Sequence, residues 1–409
     1  MNPSTIRFVD RWLGVPACAL LTALRRLFDW RTVPAPVRRV LVLKLVEQGA
    51  TVVAYPALKT LVERVGRENV FFMVLEENRA ILDLLDVVPE KNVISVGKAG
   101  LLGTLTGLVQ GILRARREKI DAVVDFEFFA RSSAVMAYLT GARTRVGYHA
   151  YHGDGAWRGD LLTHRLVYNP HLHSLDAFLI LVESLWIDPA LLPSLGIDLA
   201  KLDRSIMRFT PSANETEEVR RILRGITGRD RCGPLVLLNA NASDLIPLRK
   251  WDGDRYVDLA RRLLAADPEL TVGFTGAPSE APAIDSLVRS VDHPRCFSVA
   301  GKTTMRQLLV LFTLADVLVT NDSGPGHFAA VTDIDVVTLF GPETPKVWGV
   351  VGQRAHPITL ALPCSPCVSI YNNRMSSCRN NLCMQGITVD RVEGVVRRLL
   401  EHRPQAATP

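Results

Sequence analysis

The chain has 409 residues, of which 48% are hydrophobic and 22% are charged, so it holds enough apolar material for two cores and is too apolar to be disordered. Its formal net charge of +6 favours anionic partners such as a phosphate-bearing ligand or an acidic lipid surface. No run of basic residues with interleaved aromatics is present, so we predict no nucleic-acid partner.

Residues 1–35 are predicted to form an amphipathic helical arm. The longest uncharged run, Trp12 to Leu24, is shorter than the roughly 20 residues that a spanning helix needs. The start of the chain lacks a secretory signal pattern, which predicts a cytoplasmic protein. Two interpretations of the arm stay open: a helix in the interface of the inner membrane, or a helix packed on the protein. Flanking arginines favour the first: Arg7, Arg11, Arg25, Arg26 and Arg31.

Residues 36–185 alternate between apolar strands and helical patterns, which predicts a Rossmann-like N-terminal domain. The predicted helices are Val52–Val65, Leu101–Glu118 and Ser174–Trp186. From Gly147 the pattern loosens, and we predict a linker over 186–230. The predicted strands are Arg39–Leu45, Val70–Leu75, Val93–Val96 and Ala122–Phe126.

A second alternating series over 231–390 predicts a C-terminal Rossmann-like domain, followed by a helix and tail over 391–409. The fold class is therefore α/β with two doubly wound sheets, which bind ligands beyond the carboxyl ends of their strands. The predicted helices are Asp254–Ala266 and Thr304–Ala315. The predicted strands are Pro234–Leu238, Leu270–Thr275, Val317–Thr320 and Val336–Phe340.

The segment from Val317 to Val350 carries the most informative motif. A strand is followed by capping residues, two glycines and a proline suited to the first helical turn. Free amides at such a turn can bind a diphosphate, with a histidine donating to it. A capped core helix with a packed histidine is the alternative. The candidate donor-binding residues are Asn321, Asp322, Ser323, Gly324, Pro325, Gly326 and His327.

This motif resembles the C-terminal signature of glycosyltransferase family 9, the ADP-heptose:lipopolysaccharide heptosyltransferases. Phe340, Gly341 and Pro342 match its Phe-Gly-Pro-Thr element, with Glu343 and Thr344 following. Lys250 and Trp251 resemble the family's Lys-Arg-Trp-Pro segment, with Asp252 in the proline position. Weaker matches extend the resemblance from about Arg39 to Val396. They are Phe274–Pro278, Ala300–Thr304 and Ile120–Gly147.

The resemblance implies a GT-B fold, with two domains facing across a cleft, and an inverting sugar transfer that needs no cofactor. The N-terminal domain would hold the acceptor, a lipopolysaccharide core or related glycan or glycolipid. The C-terminal domain would hold the nucleotide sugar, ADP-heptose, with Lys250 contacting its phosphates. A base would deprotonate the acceptor hydroxyl as the diphosphate leaves.

The chain departs from the family at the catalytic base. The family carries an aspartate in the loop after the first strand, and this chain has Ala50 there. Glu47 lies in the same loop, and Asp125 and Glu127 lie near the end of another strand, where alternation would put both on one face. These three are the candidate catalytic residues. The alternative is a non-catalytic GT-B relative that binds nucleotide sugar or glycan in a membrane-associated assembly.

Four late cysteines lie in an extension over 364–383. Their spacing, two residues, then ten, then four, permits a structural zinc site, which is the interpretation we favour. Free or redox-active thiols and disulfides remain open. The candidate ligands are Cys364, Cys367, Cys378 and Cys383.

Overall fold

The structure is a computed structural model that describes residues 10–28, 36–97, 100–229, 233–242 and 246–402. It divides into two compact units. Unit 1 comprises Met1–Ser205 with Ser369–Met375, and unit 2 comprises Ile206–Val368 with Ser376–Pro409. The first division falls inside the segment 186–230 that was predicted as a linker. Arg7 and Arg31 of the predicted arm lie outside the described residues.

Unit 1 contains a sheet of six parallel strands in the order β3-β2-β1-β4-β5-β6. The central strand β1 is apolar and buried along its whole length, as a parallel strand covered on both faces must be. The strands are β1 Val40–Leu43, β2 Val70–Leu75, β3 Val93–Val96, β4 Ala122–Asp125, β5 Thr144–Tyr148 and β6 His164–Leu166.

Helices cover both faces of this sheet. The helix predicted from Val52 to Val65 is two helices, because Pro56 lacks the amide that a continuous helix needs and starts a new one. The helices are α1 Gly14–Phe28, α2 Gln48–Val53, α3 Tyr55–Val65, α4 Arg79–Leu85, α5 Gly100–Arg117, α6 Arg131–Leu139 and α7 Ser174–Glu183.

Helix α1, the described part of the predicted arm, packs on α6. Cys18 forms a small core with Ala134 and Leu161. Ahead of α1, the Asp10 carboxylate accepts hydrogen bonds from the amides of Arg131 and Ser132, so it caps the start of α6. One side of the arm is therefore fixed to unit 1. No helix within the described ranges is both long and apolar enough to cross a membrane.

Unit 2 repeats the topology of unit 1. Its six parallel strands have the order β12-β11-β10-β7-β8-β9, so strand order reverses between β7 and β10, as it does between β1 and β4 in unit 1. The strands are β7 Leu235–Asn239, β8 Thr271–Phe274, β9 Cys296–Ser298, β10 Val317–Asn321, β11 Asp335–Phe340 and β12 Ala355–Thr359.

The helices of unit 2 pack on both faces of its sheet around one large apolar core. The longest of them, α8, starts with a capping box in which Ser212 and Glu215 satisfy each other's amides. The helices are α8 Ala213–Thr227, α9 Gly253–Ala266, α10 Ala281–Val291, α11 Met305–Leu314, α12 Gly324–Ala329, α13 Pro345–Trp348, α14 Leu382–Gln385 and α15 Val389–Glu401.

The sequence pattern missed strands β5, β6, β9 and β12. Strands β6 and β9 have only three residues each, and β12 contains Pro357, so their periodic signals are short or interrupted. The region after Gly147, where the pattern loosens, completes unit 1 with β6 and α7. The position of these elements in the chain and the burial of their residues identify them better than hydrophobic periodicity does.

Candidate active site

A buried lysine lies at the carboxyl end of β1 in unit 1. The side chain of Lys44 is 1% exposed, and its amino group lies 3.4 Å from the Glu127 carboxylate and 3.5 Å from that of Glu47. Burial lowers the pKa of Lys44, and the charge of Glu127 opposes that change. The two carboxylates are what keeps a charged amine in this position.

Glu127 joins the ends of β1 and β4. One of its carboxylate oxygens accepts hydrogen bonds from the amides of Leu45 and Val46, the latter at 3.0 Å, in addition to contacting Lys44. These bonds close the sheet edge at the point where strand order reverses. Glu127 thus serves the local structure, and its predicted catalytic role stays a prediction.

Asp125, the last residue of β4, is completely buried. Its carboxylate is paired with the buried guanidinium of Arg158 and accepts a hydrogen bond from Ser133 at 2.8 Å. Burial raises the pKa of Asp125, and the Arg158 charge opposes that rise. This is the environment of a structural ion pair. A role for Asp125 in catalysis stays a prediction.

Glu47 is the most exposed of the three candidate carboxylates, at 21% of its side chain compared with 10% for Glu127 and none for Asp125. It lies in the left-handed region (φ 70°) at the start of α2, a conformation that is uncommon outside glycine and is found at functional sites. Its carboxylate contacts Lys44 and Arg374. Ala50, in the position of the family's aspartate, is buried in α2.

In unit 2, Asn321 joins three segments at the carboxyl edge of the sheet. Its side-chain oxygen accepts a hydrogen bond from the Trp251 amide at 3.0 Å, and its side-chain nitrogen donates to the Asn241 carbonyl at 3.2 Å. These segments follow β10 and β7, the two strands between which strand order reverses. The predicted donor residues Lys250 and Asn321 are therefore brought together at one place.

The Lys250 segment is fixed by the residues after it. Trp251 is buried and donates from its indole nitrogen to the Ile387 carbonyl at 2.9 Å. Asp252 caps α9 by accepting a hydrogen bond from the Asp254 amide at 3.0 Å. The departure from the family's proline thus has a local explanation, because aspartate is a strong helix N-cap.

The predicted capping of the helix after β10 is wrong. Helix α12 begins at Gly324, and Ser323 in the N-cap position makes no side-chain capping bond. The Ser323 hydroxyl donates to the Asn321 carbonyl at 3.2 Å instead. Asn321 and Asp322 direct their side chains to other segments, to Trp251 and Arg249 respectively. These side chains therefore bond elsewhere, and they do not cap the helix start as the local sequence pattern predicted.

Close packing explains why glycine occupies two positions of this turn. A Cβ on Gly326 would lie 3.2 Å from Val350, and one on Gly324 would lie 3.0 Å from the Phe328 ring. His327 is 7% exposed, which favours the interpretation as a packed histidine. Residues 323–325 are partly exposed and form the accessible part of the turn. Donor contacts by this segment, including Pro325, stay a prediction.

A charge cluster that the sequence pattern missed lies beside this turn. Arg249 is 3.3 Å from the Asp322 carboxylate, and Glu343 is buried after β11. Burial and the charge of Asp322 raise the pKa of Glu343 to about 8, with Arg249 opposing the rise. Burial also raises the pKa of Asp322, and the charge and hydrogen bond of Arg249 oppose that rise.

The four late cysteines are free thiols in unit 2. Cys364 is exposed and Cys383 is buried, and burial raises the pKa of Cys383, with Cys367 and Cys378 adding to the rise. Within the described ranges, no group of three or more His, Cys, Asp or Glu side chains is arranged to hold a metal ion. The zinc site stays a prediction.

Comparison with known proteins places these features in a family. The model of glycosyltransferase family 9 (heptosyltransferase) matches residues 113–376. Lipopolysaccharide heptosyltransferase 2 of Salmonella typhimurium is 30% identical over 115 residues, which is 28% of this chain and 33% of that protein. Lipooligosaccharide heptosyltransferase 2 of Campylobacter jejuni is 24% identical over 157 residues, 38% of this chain and 47% of that protein. The matches thus span a third to a half of these relatives' lengths.

Solved structures share the fold over most of the chain. Escherichia coli ADP-heptose lps heptosyltransferase II superposes with a TM-score of 0.67 at 18% identity, covering 89% of this chain and 98% of that one. A family 9 glycosyl transferase from Veillonella parvula gives a TM-score of 0.68 at 18% identity, covering 91% and 99%. Escherichia coli heptosyltransferase WaaC with ADP gives 0.58 at 17% identity, covering 88% and 99%. The predicted GT-B fold is confirmed.

Replacing Glu343 by glutamine should change how stability depends on pH. The native state keeps the Glu343 proton up to about pH 8, whereas the unfolded chain releases it near the ordinary value of 4.5. Between these values the native state binds more protons, so the wild-type free energy of unfolding falls as pH rises, by up to about 1.4 kcal/mol per pH unit from this group. Glu343→Gln should lose that contribution.

Urea unfolding of both proteins between about pH 5 and 8 measures the difference. Glu401→Gln, which changes an exposed glutamate of unit 2, is the control and should follow the wild type. A Glu343→Gln protein whose stability follows the wild type at every pH would show that Glu343 is ionised in the fold.

Proposed function

Because the chain belongs to glycosyltransferase family 9, we propose that it is an inverting glycosyltransferase that moves heptose from ADP-heptose to a lipopolysaccharide core or a related surface glycan. The observation that carries this proposal is the meeting of the Lys250 segment with the Asn321 turn at the reversal point of the unit 2 sheet. Open α/β sheets bind their ligands at that point. The identity of the sugar and the class of acceptor are inferred from the names of the relatives.

On the donor side, Lys250 supplies a positive charge beside a partly exposed turn. The Asn321 side chain fixes the backbone next to Lys250 through Trp251, and the indole of Trp251 is itself anchored. A preorganised cation costs little reorganisation when a diphosphate binds or leaves. Lys250 and the backbone of residues 323–326 would therefore bind the diphosphate and stabilise it as the leaving group.

On the acceptor side, Glu47 is the best-supported base. It is the most exposed of the candidate carboxylates and lies at the start of α2, the helix that contains Ala50. Asp125 is buried in an ion pair, and Glu127 bonds to two backbone amides. Glu47 is thus the carboxylate that can take a proton without breaking the end of a strand.

The reaction then proceeds as a single displacement. The acceptor hydroxyl transfers its proton to the Glu47 carboxylate as its oxygen bonds to the anomeric carbon of the heptose. The bond from that carbon to the diphosphate oxygen breaks, ADP leaves with the electron pair, and the anomeric configuration inverts. The positive charge of Lys250 offsets the charge that develops on the departing diphosphate.

Ala50 favours one other function, a non-catalytic relative that binds nucleotide sugar or glycan in a membrane-associated assembly. The contacts of Glu47 with two cations also suit this alternative, since they hold the carboxylate in place. The two functions differ in turnover alone. An ADP-linked ligand at a hundred times its dissociation constant would stabilise the protein by about 2.7 kcal/mol in either case.

We also propose that α1 binds the cytoplasmic face of the inner membrane. The helix packs on α6 by one side and exposes an apolar stripe on the other, at the spacing of one helical face. Arg26 next to this stripe has 72% of its side chain exposed, which suits acidic lipid headgroups. The stripe contains Leu20, Leu24 and Leu27, with Phe28 at its end.

For the cysteine extension we propose a structural zinc. The spacing of the four cysteines, two residues, then ten, then four, is the observation that supports it. Zinc would bind the deprotonated thiolates, with Cys364 completing the set. Such a site would stabilise the segment without taking part in the transfer.

Glu47→Gln tests the transferase proposal. Purified protein should release ADP from ADP-heptose when a heptose-deficient lipopolysaccharide core is present, and Glu47→Gln should lower kcat by about a hundredfold or more, because the amide cannot accept the acceptor's proton. The measurement is coupled ADP release. Glu77→Gln, an exposed glutamate of unit 1, is the control and should retain wild-type activity.

Binding of the ADP-linked sugar without turnover in the wild-type protein would favour the non-catalytic alternative. Unchanged turnover in Glu47→Gln would remove Glu47 from the mechanism and leave the family activity intact.

Membrane binding should depend on the exposed stripe of α1. The double variant Leu20→Glu and Leu27→Glu should bind vesicles containing acidic lipid at least about tenfold more weakly, because two apolar contacts are lost and negative charge is added. Vesicle sedimentation measures this. Leu191→Glu is the matched control, since Leu191 is 64% exposed, close to the 62% of Leu20. Equal binding by both variants would contradict the proposal.

A further inference from the structure

A short loop from the C-terminal half of the chain belongs to unit 1. Ser369–Met375 is part of that unit, whereas the residues before and after it are part of unit 2. The unit 2 residues next to the loop are tied together: the Cys367 amide donates to the Pro342 carbonyl at 2.9 Å, and the Ser376 hydroxyl donates to the Cys367 sulfur at 3.1 Å. The loop therefore has a closed base formed within the cysteine extension.

The loop has a defined conformation and packs at a defined place in unit 1. The Arg374 amide donates to the Ser369 carbonyl at 2.8 Å, which closes the loop on itself. The ring of Tyr371 lies 5.3 Å from that of Tyr168 and 5.9 Å from that of Phe129, and its hydroxyl donates to the Tyr168 carbonyl. Aromatic packing of this kind holds the loop in one place.

Arg374 reaches Glu47 from this loop. The guanidinium contacts the Glu47 carboxylate, and both residues lie in the left-handed region, at φ 54° and φ 70°. Non-glycine residues adopt this region only where surrounding contacts hold them there. Two unfavourable backbone conformations thus meet in one ion pair, which indicates that the placement of these charges is specific.

The pair completes a row of alternating charges. Arg374 contacts Glu47, Glu47 lies 3.5 Å from Lys44, and Lys44 lies 3.4 Å from Glu127. The positive charge of Arg374 adds to the lowering of the Lys44 pKa by burial, while Glu127 and Asp125 oppose it. Glu47 is therefore faced by one cation from β1 and by another from the loop.

We infer that Arg374 is a positioning residue for Glu47: the loop of residues 369–375 delivers a guanidinium that keeps the proposed base ionised and fixed in direction. This inference rests on the proposed function, in which Glu47 takes the proton of the acceptor hydroxyl. The base of this loop lies in the cysteine extension, which holds the loop from outside the reacting groups. An opposite charge nearby favours the ionised carboxylate, so its loss should let Glu47 take up a proton at higher pH.

The test is the pH profile of kcat/KM for the acceptor. Arg374→Gln should shift the acid limb of the profile upward by about one pH unit or more. Its activity should fall about tenfold on that limb and approach the wild-type value at alkaline pH. Arg374→Lys keeps the charge and should keep the wild-type limb. Because the pair is about one-fifth exposed, glutamine should be tolerated in the fold, and Arg374→Met repeats the test if it is not.

Arg379→Gln, an exposed arginine of the same extension, is the matched control and should leave the profile unchanged. An acid limb that stays in place in both Arg374→Gln and Arg374→Met, in a protein that Glu47→Gln inactivates, overturns the inference and leaves the proposed function standing. A wild-type protein with no turnover overturns the proposed function and this role with it. A limb that moves equally in Arg379→Gln also contradicts the inference, because any loss of positive charge would then suffice.

Discussion

The buried amino group of Lys44 is the interaction on which the candidate site of unit 1 depends. A charged amine with 1% exposure is stable only beside opposite charge, and Glu47 and Glu127 supply it. Removing one partner of such a set typically costs about 3–5 kcal/mol. Lys44 therefore holds the two carboxylates together at the end of β1, where Arg374 also contacts Glu47 and two backbone amides also donate to Glu127.

In unit 2, an uncharged side chain takes the corresponding place at the end of the central strands. At the equivalent point of its sheet, Asn321 bonds to the backbone of two other segments, which fixes the surroundings of Lys250. Both sheets have the same strand order, so both have a reversal point with polar groups at the carboxyl ends of the central strands. One topology thus provides two sites of different chemistry, one rich in carboxylates and one with a cation beside an open turn.

Most of the fold could be predicted from the sequence, because the central parallel strands are continuous apolar runs. Strand β2 has the predicted bounds, and so has the edge strand β3. Strands β6 and β12 could not be predicted, since three residues or an internal proline give no periodic signal. The motif located the turn after β10, but the predicted capping was wrong: Ser323 does not cap α12, because its hydroxyl donates to the Asn321 carbonyl.

The site in unit 1 contains contacts that the sequence alone does not reveal. Glu47 and Lys44 are close in the chain, but Arg374 is distant, and no local pattern connects it with them. The raised pKa of Glu343 likewise depends on its burial and on the nearby charge of Asp322, which only the fold provides. Contacts between charged residues of separate segments are therefore the part of a site that can be identified only from a structure.

A crystal structure of the protein with an ADP-heptose analogue that resists transfer tests the central claim most directly, namely that the carboxyl ends of the central strands are the working edges of both sheets. We expect the diphosphate within hydrogen-bonding distance of the Lys250 amino group and of the backbone amides of Ser323 and Gly324. A nucleotide bound away from the β7 and β10 ends, with Lys250 making no contact to phosphate, would contradict it.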